Sequence, residues 1–115
     1  MKEKSIPMCQ ARIRRIKKRL ADLGEMRPGS ISQQYNVCGN PTCRCKNKTN
    51  PKKHGPYFQL SYVHKGKSTS EFISRQRIAQ VRREVNNYRT FRDLTAEWKD
   101  LALRIAILRK KDPKS

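Results

Sequence analysis

Cys38-Gly39-Asn40-Pro41-Thr42-Cys43-Arg44-Cys45, followed by His54-Gly55-Pro56-Tyr57, is the stretch that decides the fold of this 115-residue chain. Its spacing, C-x4-C-x-C-x8-H, brings three thiols and one imidazole together in a short segment. Apart from two threonines, the intervening residues are turn formers and cations, which cannot form an apolar core. Tetrahedral Zn²⁺ is bound by such ligands and commonly holds small loops of this kind. We therefore predict a zinc site formed by Cys38, Cys43, Cys45 and His54, with His64 as the alternative to His54.

The predicted zinc site is structural rather than catalytic. Four protein ligands complete a tetrahedron, so no position is left open for water or substrate. The acidic residues are scattered without an evident pair, and the sequence contains neither a nucleophile motif nor a glycine-rich phosphate loop. We therefore expect a protein that is not an enzyme.

The charge of the chain is strongly unbalanced. Twenty-eight Lys and Arg residues stand against nine Asp and Glu, which gives a formal net charge of +19. Such a chain repels itself unless a polyanion binds, and solubility alone rarely requires so large an excess. We therefore predict nucleic acid as the partner, with RNA and DNA about equally supported.

Cations and aromatic rings are interleaved around the predicted zinc loop, as in sites that bind single-stranded nucleic acid. A loop held by metal would present its cations to phosphates, and arginines at helical spacing would add a second basic surface. Phe58 and Tyr62 alternate on the strand face expected to be buried, so other tyrosines are the better stacking candidates. The predicted contacts are Arg44, Lys46, Lys48, Lys52, Lys53, Arg12, Arg15, Arg19, Tyr35 and Tyr57.

The sequence gives no sign of a membrane segment. No stretch approaches the roughly 18 to 20 apolar residues that cross a bilayer, and the first residues lack the apolar core of a signal peptide. We therefore expect no membrane association and a cytoplasmic location. Thiols stay reduced there, so clustered cysteines favour a metal over disulfides.

The elements on either side of the Cys-rich loop follow from apolar periodicity. Helical spacing predicts a basic first helix over residues 7–25. Cys9 belongs to its apolar stripe and is expected in the core rather than at the metal. After the loop at residues 29–56, alternation predicts a two-stranded antiparallel hairpin at residues 57–73, with its turn at Lys65-Gly66.

Residues 75–111 contain no Gly or Pro and carry apolar residues at helical spacing, which predicts one long helix. The apolar stripe shifts near residues 88–91, so a kinked helix or a pair of helices also fits. A continuous helix would be about 54 Å long, too long for the first helix to cover. The seam from Phe91 to Leu108 is therefore available to a protein partner or a second copy of the chain. The predicted fold is α+β, a single domain over residues 1–115.

Five short motifs stand out between residues 27 and 92. They are Pro28-Gly29-Ser30, Tyr35-Asn36-Val37-Cys38-Gly39, Cys43-Arg44-Cys45, His54-Gly55-Pro56-Tyr57-Phe58-Gln59-Leu60-Ser61-Tyr62 and Lys65-Gly66-Lys67. Together they resemble an uncharacterised family of small prokaryotic proteins that are sometimes encoded near mobile-element genes. The resemblance implies a Cys/His cluster, a hairpin and a long C-terminal helix, and it is compatible with a role in handling nucleic acid.

These observations together predict a non-enzymatic nucleic-acid-binding protein with a structural zinc site, acting as an accessory component of a nucleoprotein assembly. The alternative is an adaptor whose long helix docks on, or dimerises with, a protein partner. Binding that weakens steeply with salt would distinguish the first from the second.

Overall fold

The chain forms two helices and a three-stranded antiparallel sheet, which confirms the α+β class. The computed structural model describes residues 5–36, 42–46 and 53–111. The elements, in chain order, are α1 (Ile6–Asp22), β1 (Ser30–Asn36), a 3₁₀ turn (Arg44–Lys46), β2 (His54–His64), β3 (Lys67–Ile73) and α2 (Ile78–Lys111).

The chain divides into two compact units, each with its own apolar cluster. Unit 1 comprises residues 1–26 and 86–115, and unit 2 comprises residues 27–85. The clusters lie one in each unit. Folding of residues 1–115 as a single domain stays a prediction.

Unit 1 is an antiparallel pair of helices. Helix α1 begins at the cap Ser5, whose hydroxyl accepts a hydrogen bond from Met8 N, and it ends at Asp22 because Leu23 is extended. Asn87 Nδ2 donates to Glu25 O at one end of the pair, and Arg12 donates to Glu97 further along. The first helix is thus shorter at its end than the predicted 7–25.

The apolar stripe of α1 covers the seam of α2 within the same chain. Cys9 and Ile16 are buried with Leu94, Leu101 and Ile105 in one cluster. The location of Cys9 in the core is therefore confirmed. The expectation that α1 would leave this part of the seam uncovered is wrong, because its stripe extends over residues 94–105. A homodimer through the Phe91 to Leu108 seam stays a prediction.

Unit 2 contains three strands in the order β1-β2-β3, where the sequence predicted only two. The additional strand is β1, which lies in the segment assigned to the loop at residues 29–56. Its pairing with β2 runs from Ser30 opposite Ser61 to Asn36 opposite His54. Strand β1 has few apolar residues, and its hydrogen bonds to the β2 backbone do not depend on side-chain polarity.

The hairpin of β2 and β3 turns at Lys65-Gly66, as predicted. Both residues have positive φ, 51° and 79°, which is the geometry of a type I′ turn. One face of the sheet packs on the first part of α2 in a cluster of Leu60, Ile73, Val81 and Val85. Phe58 and Tyr62 pack against that cluster, as the alternation predicted.

Helix α2 is continuous from Ile78 to Lys111, so the change of stripe near residues 88–91 does not break it. The rings of Tyr88 and Phe91 stack there with centroids 6.2 Å apart. The helix begins three residues later than predicted, after a turn in which Arg77 N donates to Ser74 O. Among the residues with described structure, neither helix has an apolar stretch that could cross a bilayer.

Candidate metal centre

Two elements of unit 2 bring three of the four predicted metal ligands together. The first is the 3₁₀ turn, in which Lys46 N donates to Cys43 O at 3.0 Å, so that Cys43 and Cys45 lie on one tight turn. The second is the start of β2, where His54 pairs with Asn36 across the sheet. Cys43 and Cys45 on this turn therefore lie close to His54, which is held by strand pairing at the start of β2.

Cys43, Cys45 and His54 form a compact group, called the metal group below because its ligand atoms could hold a metal ion. The ligand atoms of Cys43, Cys45 and His54 all lie within 4.8 Å of one another, and Cys43 Sγ lies 3.1 Å from His54 Nε2. With Zn–S near 2.3 Å and Zn–N near 2.0 Å, a tetrahedral ion separates S from N by about 3.5 Å. The three residues could therefore hold a metal ion after only small side-chain adjustments.

Cys45 is buried without belonging to an apolar cluster. Its exposed fraction is 2%, yet it is a member of neither cluster formed by the described residues. Cys9 is buried to the same degree but packs among aliphatic side chains. Among the described residues, Cys45 lies next to another thiol and an imidazole, a grouping that could hold a metal ion.

The two remaining ligand candidates have different outcomes. Cys38 lies outside the described residues. His64 is at the far end of β2, about 33 Å from His54 along an extended strand, and it lines a separate small cleft with Arg27, Pro28 and Tyr62. His54, and not His64, is the histidine of the group.

The backbone conformation next to His54 requires a glycine at position 55. Its φ is +137°, and a Cβ added there would lie 2.7 Å from the carbonyl oxygen of Gln34 on the neighbouring strand. A backbone oxygen cannot yield as a flexible side chain can. The close approach of β1 to β2 beside the metal group therefore depends on glycine.

Gly55→Ala is expected to lower the free energy of unfolding by about 2–3 kcal/mol, from backbone strain and the enforced separation of the strands. The matched control is Gly66→Ala, because that glycine also has positive φ but a Cβ there would meet nothing within 4 Å. Urea unfolding of both variants measures the difference. Equal losses would show that the contact with Gln34 contributes nothing.

Seven of the eight predicted phosphate-binding cations divide into three groups. Arg44, Lys46 and Lys53 are exposed near the metal group, and Arg15 and Arg19 are exposed on α1. Lys48 and Lys52 lie outside the described residues. Contact of any of them with nucleic acid stays a prediction.

Arg12 is engaged inside unit 1. Its guanidinium donates two hydrogen bonds to the Glu97 carboxylate, Nε to Oε2 at 2.6 Å and Nη2 to Oε1 at 2.8 Å. These bonds raise the pKa of Arg12 above its ordinary value, against the opposing effect of desolvation. Because this pair uses two of its donor groups, Nε and Nη2, Arg12 has fewer donors left for a phosphate.

The aromatic candidates lie on the sheet. Tyr35 and Tyr57 are both exposed, and the Tyr35 hydroxyl accepts a hydrogen bond from Gln33 Nε2. Two further residues of the sheet region were not among the contacts predicted from the sequence. Phe72 is 68% exposed, and Arg75 Nη2 donates a hydrogen bond to Gly55 O at 3.3 Å. The alternation of Ser68, Ser70 and Phe72 indicates that these side chains share one face of β3. Only the register of β3 against β2 shows which β2 residues lie beside them.

The chain matches the model of a known protein family. A family model described as a domain of unknown function, DUF6788, matches residues 6–83, which is more than half of the chain. No curated protein and no solved structure matches.

Proposed function

We propose that this chain, which belongs to the DUF6788 family, binds nucleic acid through a basic segment held in place by a structural zinc ion. The observation that carries the proposal is the grouping of Cys43, Cys45 and His54 within a segment, residues 29–56, that has five cations and no carboxylate. The protein acts as an accessory, non-enzymatic component of a nucleoprotein assembly.

The choice of zinc rests on the chemistry of the ligands. Two thiolates and an imidazole suit Zn²⁺, whereas Mg²⁺ and Ca²⁺ prefer oxygen. Cys38 is the proposed fourth ligand, because it follows Asn36 by two residues and Asn36 pairs with His54. Four protein ligands leave no open coordination position, so the ion organises the segment and does not activate water.

The choice of nucleic acid rests on charge that unit 2 does not neutralise internally. Residues 27–85 contain twelve Lys and Arg but only two acidic residues. Glu71 is paired with Arg27, Oε1 to Nη2 at 2.8 Å, and Glu84 accepts a hydrogen bond from Gln80. Most of the cations therefore have no carboxylate within the unit, and a polyphosphate supplies the missing charge.

The test is the salt dependence of binding to a short fluorescent oligonucleotide. The logarithm of affinity should fall linearly with the logarithm of salt concentration, and Lys46→Gln with Lys53→Gln should reduce the slope by about 1.4 on a single strand, since each phosphate contact contributes about 0.7. Lys110→Gln with Lys111→Gln at the end of α2 is the control, because it removes the same charge from exposed positions of unit 1.

A slope that is equal in both double variants would place the phosphate contacts elsewhere, and a flat salt response would reject nucleic-acid binding. Zinc content is measured on each variant, so that loss of metal is not mistaken for loss of a phosphate contact.

An adaptor role is the second candidate, and one observation favours it. Leu103 and Ile107 lie four residues apart on α2 and are both exposed, although the seam facing α1 is buried. Leu103→Arg should abolish capture of a protein partner in this role and leave oligonucleotide binding unchanged.

A further inference from the structure

One face of the sheet packs on α2, and the opposite face, here called the open face, carries no charged side chain. On β2 it presents Tyr57, Gln59, Ser61 and Val63, and β1 contributes only Ser and Gln. Ser61 Oγ and Ser70 Oγ lie 3.0 Å apart across the strands, and Gln34 Nε2 donates to Gln59 Oε1 at 2.7 Å. In a chain with 28 Lys and Arg, this face is polar, aromatic and uncharged.

A cleft opens at one end of the open face, beside the metal group. It has a volume of about 520 Å³ and lies between the start of β2 and the end of β3, within the size range of small-ligand sites. Tyr57, Phe72 and Arg75 are among its lining residues. Phe72 pairs with Gln59, which makes Tyr57 its diagonal neighbour on the same face, a distance that aromatic rings can bridge.

Exposure of Phe72 alone does not indicate a binding site, because single apolar residues are common on protein surfaces. Its combination with a second ring, a cleft and nearby cations is more specific. Two rings flank one cleft, the guanidinium of Arg75 lies at its edge through the bond to Gly55 O, and Lys53 precedes β2. Serine and glutamine along the strands supply both hydrogen-bond donors and acceptors.

We propose that this cleft takes an unpaired nucleobase of a single-stranded nucleic acid, stacked on Phe72 and Tyr57, while Arg75 and Lys53 meet the adjacent phosphates. The inference rests on the proposed function and specifies its ligand. Base faces are covered in a duplex, so rings fixed on a sheet can stack only on bases that are unpaired. Hydroxyl and amide groups along the open face match the polar edges of the neighbouring bases.

A protein occupant fits this face less well. The centre of a stable protein interface is apolar, whereas the only large apolar side chains here are Tyr57, Val63 and Phe72, separated by Ser and Gln. The surrounding excess of cations also favours a polyanion over a second copy of the same positively charged chain.

The test compares three probes by fluorescence anisotropy at one salt concentration: an oligothymidylate, its duplex with oligoadenylate, and an abasic strand of equal length. We expect the zinc-loaded protein to bind the oligothymidylate more tightly than the other two. Phe72→Leu keeps apolar bulk but removes the ring, and it should weaken oligothymidylate binding about tenfold and leave abasic binding unchanged. Phe72→Trp should retain the affinity, and Val63→Ala, exposed on the same face, should have no effect.

The outcomes separate this inference from the proposed function. Equal affinity for all three probes, unchanged in Phe72→Leu, would overturn base stacking and leave salt-dependent phosphate binding intact. Absence of binding to every probe would overturn both. A third outcome is a dimer of the parent protein in sedimentation that Phe72→Leu abolishes while oligonucleotide affinity stays unchanged. This result would assign the open face to a second copy of the chain and reject the inference.

Discussion

Cys45→Ala is expected to abolish stoichiometric zinc binding and to cause the largest loss of stability of any single substitution in unit 2. Binding of a ligand to the folded state alone contributes about 4 kcal/mol at a free concentration about 1,000-fold above Kd. Removing a buried thiolate from the group of Cys43, Cys45 and His54 forfeits that contribution. Urea unfolding at buffered free zinc, with and without a chelator, measures the effect.

Cys9→Ala is the matched control for this substitution, because both cysteines are buried and both lose one sulfur. Cys9 packs in the apolar cluster of unit 1, so its loss should cost only about 1 kcal/mol and leave zinc content at one ion per chain. Chelation should then destabilise Cys9→Ala as it destabilises the parent protein and have no effect on Cys45→Ala. Retention of one zinc ion by Cys45→Ala would contradict the assignment.

Leu101→Arg is expected to cause the largest loss of stability in unit 1. Leu101 is 6% exposed between α1 and the second part of α2, in the cluster that includes Cys9 and Ile16. A guanidinium at that position is buried without an assigned partner, which costs about 3 kcal/mol or more. Trp98 packs against the same cluster and lies under the ammonium of Lys17, so its fluorescence reports the unfolding of this unit.

Leu103→Arg is the control for the same chemical change on the same helix. Leu103 is 59% exposed, so its replacement should alter the free energy of unfolding by less than about 0.5 kcal/mol. Comparable losses in both variants would show that α1 does not cover the seam in solution. The pair also clarifies the adaptor hypothesis, because only Leu103→Arg tests docking on α2 without unfolding the helix pair.

The sequence alone predicted the elements whose side chains are periodic. The four-three spacing from Cys9 through Leu20 predicted α1 and its buried face, and the absence of Gly and Pro from residues 75–111 predicted the continuous α2. The alternation of Phe58, Leu60 and Tyr62 predicted the buried face of β2. In each case the pattern reflects burial on one side, which is the property that the structure also requires.

The sequence could not predict the features that depend on backbone pairing or on register. Strand β1 is polar and pairs through main-chain hydrogen bonds, so its side chains carry little strand signal. The sequence around Phe72 indicates a strand but not its neighbours across the sheet. The pairing of Phe72 with Gln59 places it beside Tyr57. Arg12 was assigned to phosphate because its partner Glu97 is 85 residues away in the sequence. The grouping of Cys43, Cys45 and His54, in contrast, was predicted from residue type and spacing.

Native mass spectrometry of the purified chain mixed with an equimolar oligothymidylate tests the central proposal most directly, because it records metal and nucleic acid on the same molecules. We expect a species of one chain, one zinc ion and one oligonucleotide, with the oligonucleotide strongly enriched on the zinc-containing mass. Metal-free chains that carry an equal share of oligonucleotide, or a chain that never carries zinc, would contradict the account.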